Sequence, residues 1–210
     1  DLLAEGRFTL GVGVGGREED YTAINSNWSD RRWTTLAKNV KTLQSVWSKD
    51  YHKEMGPNTF SKAGPQILAG AVGPKAMSMS ADFAEGLAGF SFNADLKEIN
   101  DSFNRVEEAF AQKKISPRLI TSFWFGLGDT GRDDIKTHLT RYLDWMGKDL
   151  AKNLSETAGF SGNQNDLYNL LVKIKDLGAT DTLLVPTSRD IDQLSMAEEV
   201  VSQFNQQSIN

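Results

Sequence analysis

The chain reads as an α/β protein whose parallel strands are joined by helical crossovers. The first reason is a switching period. Apolar residues recur alternately at spacings of two and of 3.6, in the order strand, helix, strand, helix, until five strands are counted. The second is size and composition. A length of 210 residues, 39% hydrophobic and 24% charged, suits one folded domain over 1–210 and argues against disorder.

Residues 7–15 alternate, with Phe8, Leu10, Val12 and Val14 on one face and Arg7, Thr9, Gly11, Gly13 and Gly15 on the other. A polar loop is expected over 17–27. The next helix carries Trp33, Leu36, Ala37, Val40, Leu43 and Trp47, with Ser29 or Asp30 as its cap. Residues 51–65, rich in Gly and Pro, read as a long loop. The apolar run 66–70 follows, and Pro74 suits the first turn of a helix reaching about residue 84.

Residues 87–92 form the third strand. Asp95 caps a helix with Leu96, Ile99, Phe103, Val106 and Phe110 on one stripe, and Pro117 separates it from a strand over 119–125. One helix is expected to carry Ile135, Leu139, Tyr142, Leu143, Met146 and Leu150. Another carries Leu167, Leu170, Leu171, Ile174 and Leu177, and Gly178 stops it. Residues 182–185 make the fifth strand. The closing helix from Asp190 turns Ile191, Leu194, Ala197, Val201 and Phe204 inward.

Several function classes fall away on composition. Lys plus Arg is 23 and Asp plus Glu is 28, a net charge of -5, which offers nucleic acid no attractive field. No apolar run approaches the ~20 residues a membrane span needs. With no Cys there is no disulfide framework, thiolate zinc site or thiol nucleophile, and cytosol and periplasm fit equally well. The chain starts at Asp1 without Met, and residues 1–5 read like the tail of a helix that begins earlier.

Two architectures fit this order. A five-stranded doubly wound sheet needs nothing further. A (β/α)8 barrel needs eight strands and typically ~250 residues, so three more units would have to precede Asp1.

Gly11-Val12-Gly13-Val14-Gly15-Gly16 satisfies the dinucleotide fingerprint at 11, 13 and 16. The fingerprint also needs a helix opening on the glycines and an acid about 20 residues on at a strand end. Here that position falls inside the Trp33–Trp47 helix. Read as a strand, the glycines leave one face bare, through crowding, a bend, or a flat ligand against the backbone. Ala69-Gly70-Ala71-Val72-Gly73-Pro74-Lys75 is a strand-to-helix turn of small residues whose N–H groups suit a phosphate. Arg31 and Arg32, beside Trp28 and Trp33, either anchor an anion or solvate a helix start.

His52 and His138 lack metal-ligand spacing, and no metal site is expected. There is no G-x-S-x-G elbow and no Walker loop. Phe123, Trp124 and Phe125 fit a core strand, with one face available to line an apolar pocket.

Taken together, several segments resemble the luciferase-like flavin-dependent oxidoreductases. They are the run from Leu3 to Tyr21 containing Gly11-Val12-Gly13-Val14-Gly15-Gly16, then Ser29-Asp30-Arg31 leading into the helix ending at Trp47. Gly64-Pro65-Gln66-Ile67-Leu68-Ala69-Gly70-Ala71-Val72-Gly73-Pro74-Lys75-Ala76 resembles the next unit. Leu183-Leu184-Val185-Pro186-Thr187-Ser188 with Asp192-Gln193-Leu194 resembles the last strand and helix.

The resemblance implies a (β/α)8 barrel of which this chain supplies strands four to eight, strands one to three being absent. It implies a flavin-dependent enzyme, a monooxygenase using reduced FMN and O2 on a small organic substrate. Two alternatives are an F420-dependent dehydrogenase on the same barrel and, if 210 residues are the whole chain, a non-catalytic flavin-binding or structural protein. It places the cofactor phosphate at Gly70, Ala71, Val72 and Gly73 with Arg31, and the cofactor against Gly13 and Gly15. A flavin reductase as partner, a homodimer and a cytoplasmic location are also implied. Three positions depart from the family pattern: Trp33-Thr34-Thr35 lacks an acid, Glu85-Gly86 replaces Asp-Gly, and Ser80 stands for an arginine. No catalytic residue is assigned.

Overall fold

The computed structural model describes residues 1–29, 31–48, 59–61 and 63–208. Asp30 as a cap, His52, and most of the 51–65 loop lie outside the described residues. The chain divides into two compact units, residues 1–88 with 104–118, and residues 89–103 with 119–210.

In the first unit three parallel strands pair in sequence order. β1 (Thr9–Val12) pairs with β2 (Gln66–Ala69) in the register Thr9↔Gln66 to Val12↔Ala69, and Ala69 pairs with Leu87 of β3 (Gly86–Ala88). β1 is shorter than the sequence suggests, although the alternation persists: Val12 and Val14 are half-buried while Gly11, Gly13 and Gly15 are exposed. Phe8, expected on the packed face, is instead exposed. Residues 1–5 form hydrogen-bonded turns rather than the end of a helix, Glu5 N–H donating to Leu2 O and Gly6 N–H to Asp1 O.

The expected polar loop contains a helix, α1 (Glu18–Ala23). Its first turn holds Glu18, Glu19 and Asp20, whose charges oppose the positive end of the helix dipole and so favour this short element. α2 (Arg32–Trp47) buries Val40. β2 is buried at Ile67, Leu68 and Ala69, and α3 (Pro74–Ser80) starts with Pro74 at N1 as expected, ending before residue 84. Arg118 Nη1 donates to Thr9 Oγ1 at 3.0 Å and to Gln66 Oε1 at 2.7 Å, tying the starts of β1 and β2.

α4 (Leu96–Ala111) is capped as expected, Glu98 N–H donating to Asp95 Oδ1 at 2.8 Å. Its apolar stripe is buried at Ile99, Phe103, Val106 and Phe110.

In the second unit β4 (Arg118–Leu127) runs parallel to β5 (Phe160–Gly162) and to β6 (Asp181–Pro186). Phe123, Trp124 and Phe125 are buried, so they pack the core. The described residues thus hold six strands rather than five. The extra one, β5, is three residues with Ser161 and Gly162 in it, too short to show any period.

The single helix expected over Ile135 to Leu150 is instead α5 (Gly131–Tyr142), a 3-10 turn over Asp144–Met146, and α6 (Lys148–Thr157). Gly147 breaks it at φ 103°, a conformation side chains rarely adopt. Ile135, Leu139 and Leu143 pack with Trp124, Ala151 and Ala158, whereas Tyr142 and Leu150 are exposed. α7 (Gln164–Asp176) opens with a capping box between Asn163 and Asp166 and stops before Gly178 at φ 97°. α8 (Ile191–Ser208) closes the chain. Ala197 is inward as expected, but Ile191 and Leu194 at its first turn are exposed. No helix among the described residues is long and apolar enough to cross a membrane.

Candidate functional site

Parallel pairing in register sends the carboxyl ends of β1 and β2 to the same rim. The ladder continues one step past the strands, Gly70 N–H donating to Val12 O at 2.7 Å. Gly13 and Gly70 are therefore neighbours. A Cβ on Gly13 would stand 3.6 Å from Gly70 O, and one on Gly15 would stand 3.4 Å from Tyr21 Cε2. Nothing lies within 4 Å of the Cβ direction of Gly11. Crowding within the described chain does not explain these glycines.

The turn from β2 to α3 continues the rim. Ala71 is buried and anchors it, Val72 is 84% exposed, and nothing lies within 4 Å of the Cβ direction of Gly73, the N-cap of α3. Gly70 needs a correction as an anion donor, because its N–H is already given to Val12 O. The N–H groups of Ala71, Val72 and Gly73 make no such backbone bond among the described residues. Pro74 contributes none.

The third part is the approach to α2. Arg31 is its N-cap and is exposed, its backbone N–H donating to Ser29 Oγ at 3.1 Å. Ser29 thus caps one step earlier than expected, serving Arg31 instead of the first turn. Arg32 is placed differently. Its guanidinium lies over the Trp28 ring at 3.5 Å from the centroid and 6.0 Å from that of Tyr21. Tyr21 meets Trp28 edge-on at 5.2 Å. Arg32 Nε and Nη1 are buried without a hydrogen-bond partner. Residue type alone could not rank Arg32 above Arg31, and because Trp28 precedes α2 the spacing between them carries no helical sign of the stack.

Other candidates have local explanations. A second Gly-x-Gly-x-x-Gly, at Gly126, Gly128 and Gly131, follows β4 and opens α5, the context the fingerprint requires. Its glycines have a packing reason: a Cβ on Gly126 would stand 2.3 Å from Gly131 O, and one on Gly131 2.4 Å from Gly126 O. Three of its donors are also spent, Leu127 N–H on Gln193 Oε1, Gly128 N–H on Gly162 O and Gly131 N–H on Gly128 O.

His138 stacks on Tyr142 at 5.6 Å, and burial, followed by the charge of Arg141, holds its imidazole below the usual range. The buried Ser80 donates Oγ–H to Met77 O, and Gly86 faces Arg118 O at 2.0 Å from its Cβ direction. Ser80, which stands for an arginine of the family pattern, is thereby given a structural role, and Gly86, which keeps that pattern, has a packing reason. Among the described residues no group of three or more His, Cys, Asp or Glu is placed to hold a metal.

A family model described as luciferase-like monooxygenase matches residues 1–183. The chain belongs to that family. No curated protein sequence matches the chain. Among solved structures, this luciferase-like chain is similar to an F420-dependent secondary alcohol dehydrogenase at 13% identity and TM-score 0.72, over 96% of this chain and 72% of that one. It is similar to the monooxygenase RslO1 from Streptomyces bottropensis at 13% identity and TM-score 0.69, over 100% and 71%. An EDTA monooxygenase from a Chelativorans species gives 11% identity and TM-score 0.66, over 100% and 69%. At these identities the likeness shows the fold: an α/β chain with parallel strands, equivalent to about seven-tenths of such an enzyme.

Proposed function

We propose that this luciferase-like chain holds the cofactor of a flavin-dependent oxidoreductase, a monooxygenase using reduced FMN and O2 on a small organic substrate. The supporting observation is that the bare glycine face of β1 and the unblocked β2–α3 turn share one rim. A flat ring can lie against Gly13, where only the Gly70 backbone is near, and against Gly15, where the Tyr21 ring edge is the one close side chain, while a phosphate meets the N–H groups of Ala71, Val72 and Gly73. Gly70 contributes close approach through its missing side chain. Arg31, exposed at the start of α2, adds charge. These residues suit the group chemically: uncharged backbone under a ring, and donors with a cation for its anionic tail.

When bound, the flavin supplies the redox chemistry. The chain's own residues bind and orient it, and none at this rim is assigned a catalytic role. In this reading β1, β2, β3, β4 and β6 stand as strands four to eight of a (β/α)8 barrel, with β5 an addition beside β4. The TM-score of 0.72 with an F420-dependent enzyme supports a second reading, hydride transfer with F420 on the same rim. A flavin reductase as supplier of reduced FMN, a homodimer and a cytoplasmic location belong to the first reading. Titration of the purified protein with FMN and with F420 tests both. Saturable binding of FMN is expected, a preference for F420 moves the assignment to the dehydrogenase, and binding of neither refutes the site.

A further inference from the structure

We infer that the cleft between α7, β6 and α8 binds an apolar carboxylate, with its hydrocarbon body against Leu171, Leu184, Val201 and Phe204 and its head at Lys175. The cleft has a volume of about 370 Å³ and lies wholly in the second unit. That volume falls within the range of roughly 300–1,000 Å³ common to small-molecule sites. None of its residues belongs to the glycine rim, so the inference stands apart from the flavin reading.

The walls decide the body of the ligand. Leu171 is buried, but Leu184, Val201 and Phe204 are only half-buried and Leu183 is 55% exposed. Apolar surface is thus left at the cleft for a ligand to cover, and covering it is favourable.

The donors decide the head. Thr180 N–H donates to Leu119 O at 2.8 Å, and successive N–H groups of a strand alternate between its two sides. Those of Asp181 and Leu183 therefore turn away from β4, and among the described strands β6 pairs with β4 alone. Lys175, exposed on α7, brings a positive charge to the same cleft. Its ammonium lies over the Phe204 ring at 5.8 Å, a contact with the ring's face that does not use up three N–H donors. Asp181 also lines the cleft, but it has a partner of its own, so Lys175 sets the sign of the ligand.

The experiment titrates the full chain with 2-naphthoate, 2-naphthalenemethanol and 2-naphthylmethylammonium by calorimetry. The three share one body and differ in the charge of the head. Saturable binding is expected in the order carboxylate, alcohol, ammonium. Lys175→Gln should weaken the carboxylate about fivefold, toward the alcohol, and leave the alcohol unchanged. Lys175→Arg should restore it, and added salt should narrow the gap between the two heads. Val201→Phe, which fills the cleft, should weaken carboxylate and alcohol alike by about tenfold or more.

Absence of saturable naphthoate binding overturns the inference. So does equal affinity for carboxylate and alcohol, or wild-type naphthoate affinity in Lys175→Gln. These outcomes rest on an exposed side chain and on the ligand series, so they decide the matter even if Val201→Phe does not fold. A dimer seen by light scattering and dissociated by Leu183→Asp, in a protein that does not bind naphthoate, assigns the cleft to a second copy and overturns the inference as well.

Discussion

Val72 gives the cleanest probe of the proposed phosphate position, because it sits between the two donors Ala71 and Gly73 yet is 84% exposed. Replacing it with Asp should leave the fold alone, since surface substitutions of this kind usually change stability by no more than about 0.5 kcal/mol. The added carboxylate would stand at roughly 6 Å from an anion on the turn, on the scale of one residue's side chain. Coulomb's law at an effective dielectric of about 40–80 gives about 0.7–1.4 kcal/mol for each unit of ligand charge. A phosphate near charge -2 therefore loses about 1.4–2.8 kcal/mol, or roughly ten- to a hundredfold in affinity.

The assay is FMN titration of wild type, V72D and V72N at low and high salt, with thermal unfolding alongside. V72N has nearly the shape of V72D without its charge, so the difference between them is the electrostatic part. That difference should shrink as salt is raised, because an exposed pair is screened beyond a Debye length of about 10 Å at 0.1 M. Riboflavin, which lacks the phosphate, should bind the two variants alike. Equal FMN affinity for V72D and V72N at low salt would refute the placement of the anion at this turn.

The remaining expectations concern the second unit. Gly126→Ala forces a Cβ to within 2.3 Å of Gly131 O, backbone that cannot move aside cheaply, so denaturant unfolding should show a loss of about 3 kcal/mol. Gln193 gives its Nε2–H to Leu127 O and accepts Leu127 N–H, both at 2.8 Å. Q193A strands two buried backbone groups and should cost about 2–4 kcal/mol in the same measurement. Burial and Arg141 depress the His138 pKa, so below about pH 6.5 the unfolded chain takes up a proton that the folded chain resists. Stability should fall as the pH drops from there toward the depressed folded value. His138→Phe, which keeps a ring against Tyr142, should flatten that slope in unfolding midpoints followed against pH.

What could be read from residues alone follows a physical pattern. The stripe Ile99, Phe103, Val106 and Phe110 and its Asp95 cap are legible because burial of one helix face imposes a period on sequence. β5 is not legible, because three residues held by pairing to Phe125, Gly126 and Leu127 need no pattern of their own. The helix break at Gly147 is hidden for another reason. Ile135, Leu139, Leu143 and Met146 before it share one cluster with Ala151 and Leu154 after it, so the apolar spacing runs on although the backbone does not. α1 is hidden because its driving feature is charge in the first turn and it buries nothing.

The site divides along the same line. Glycine at 11, 13 and 15 is visible as a bare strand face, but only the register of β1 on β2 sets that face beside Gly70. A shift of that parallel register by one residue would alternate the pairing and turn the glycines to the opposite face. Arg31 and Arg32 cannot be distinguished by residue type, and what separates them is a contact with Trp28 and two donors left without partners. The anion chemistry proposed for this rim thus rests on main-chain geometry and on one side chain's surroundings, both properties of the folded chain. In the proposed reading, loss of the β1–β2 pairing would part Gly13 from the β2–α3 turn and so cost ligand binding, even though none of the paired residues carries a charge.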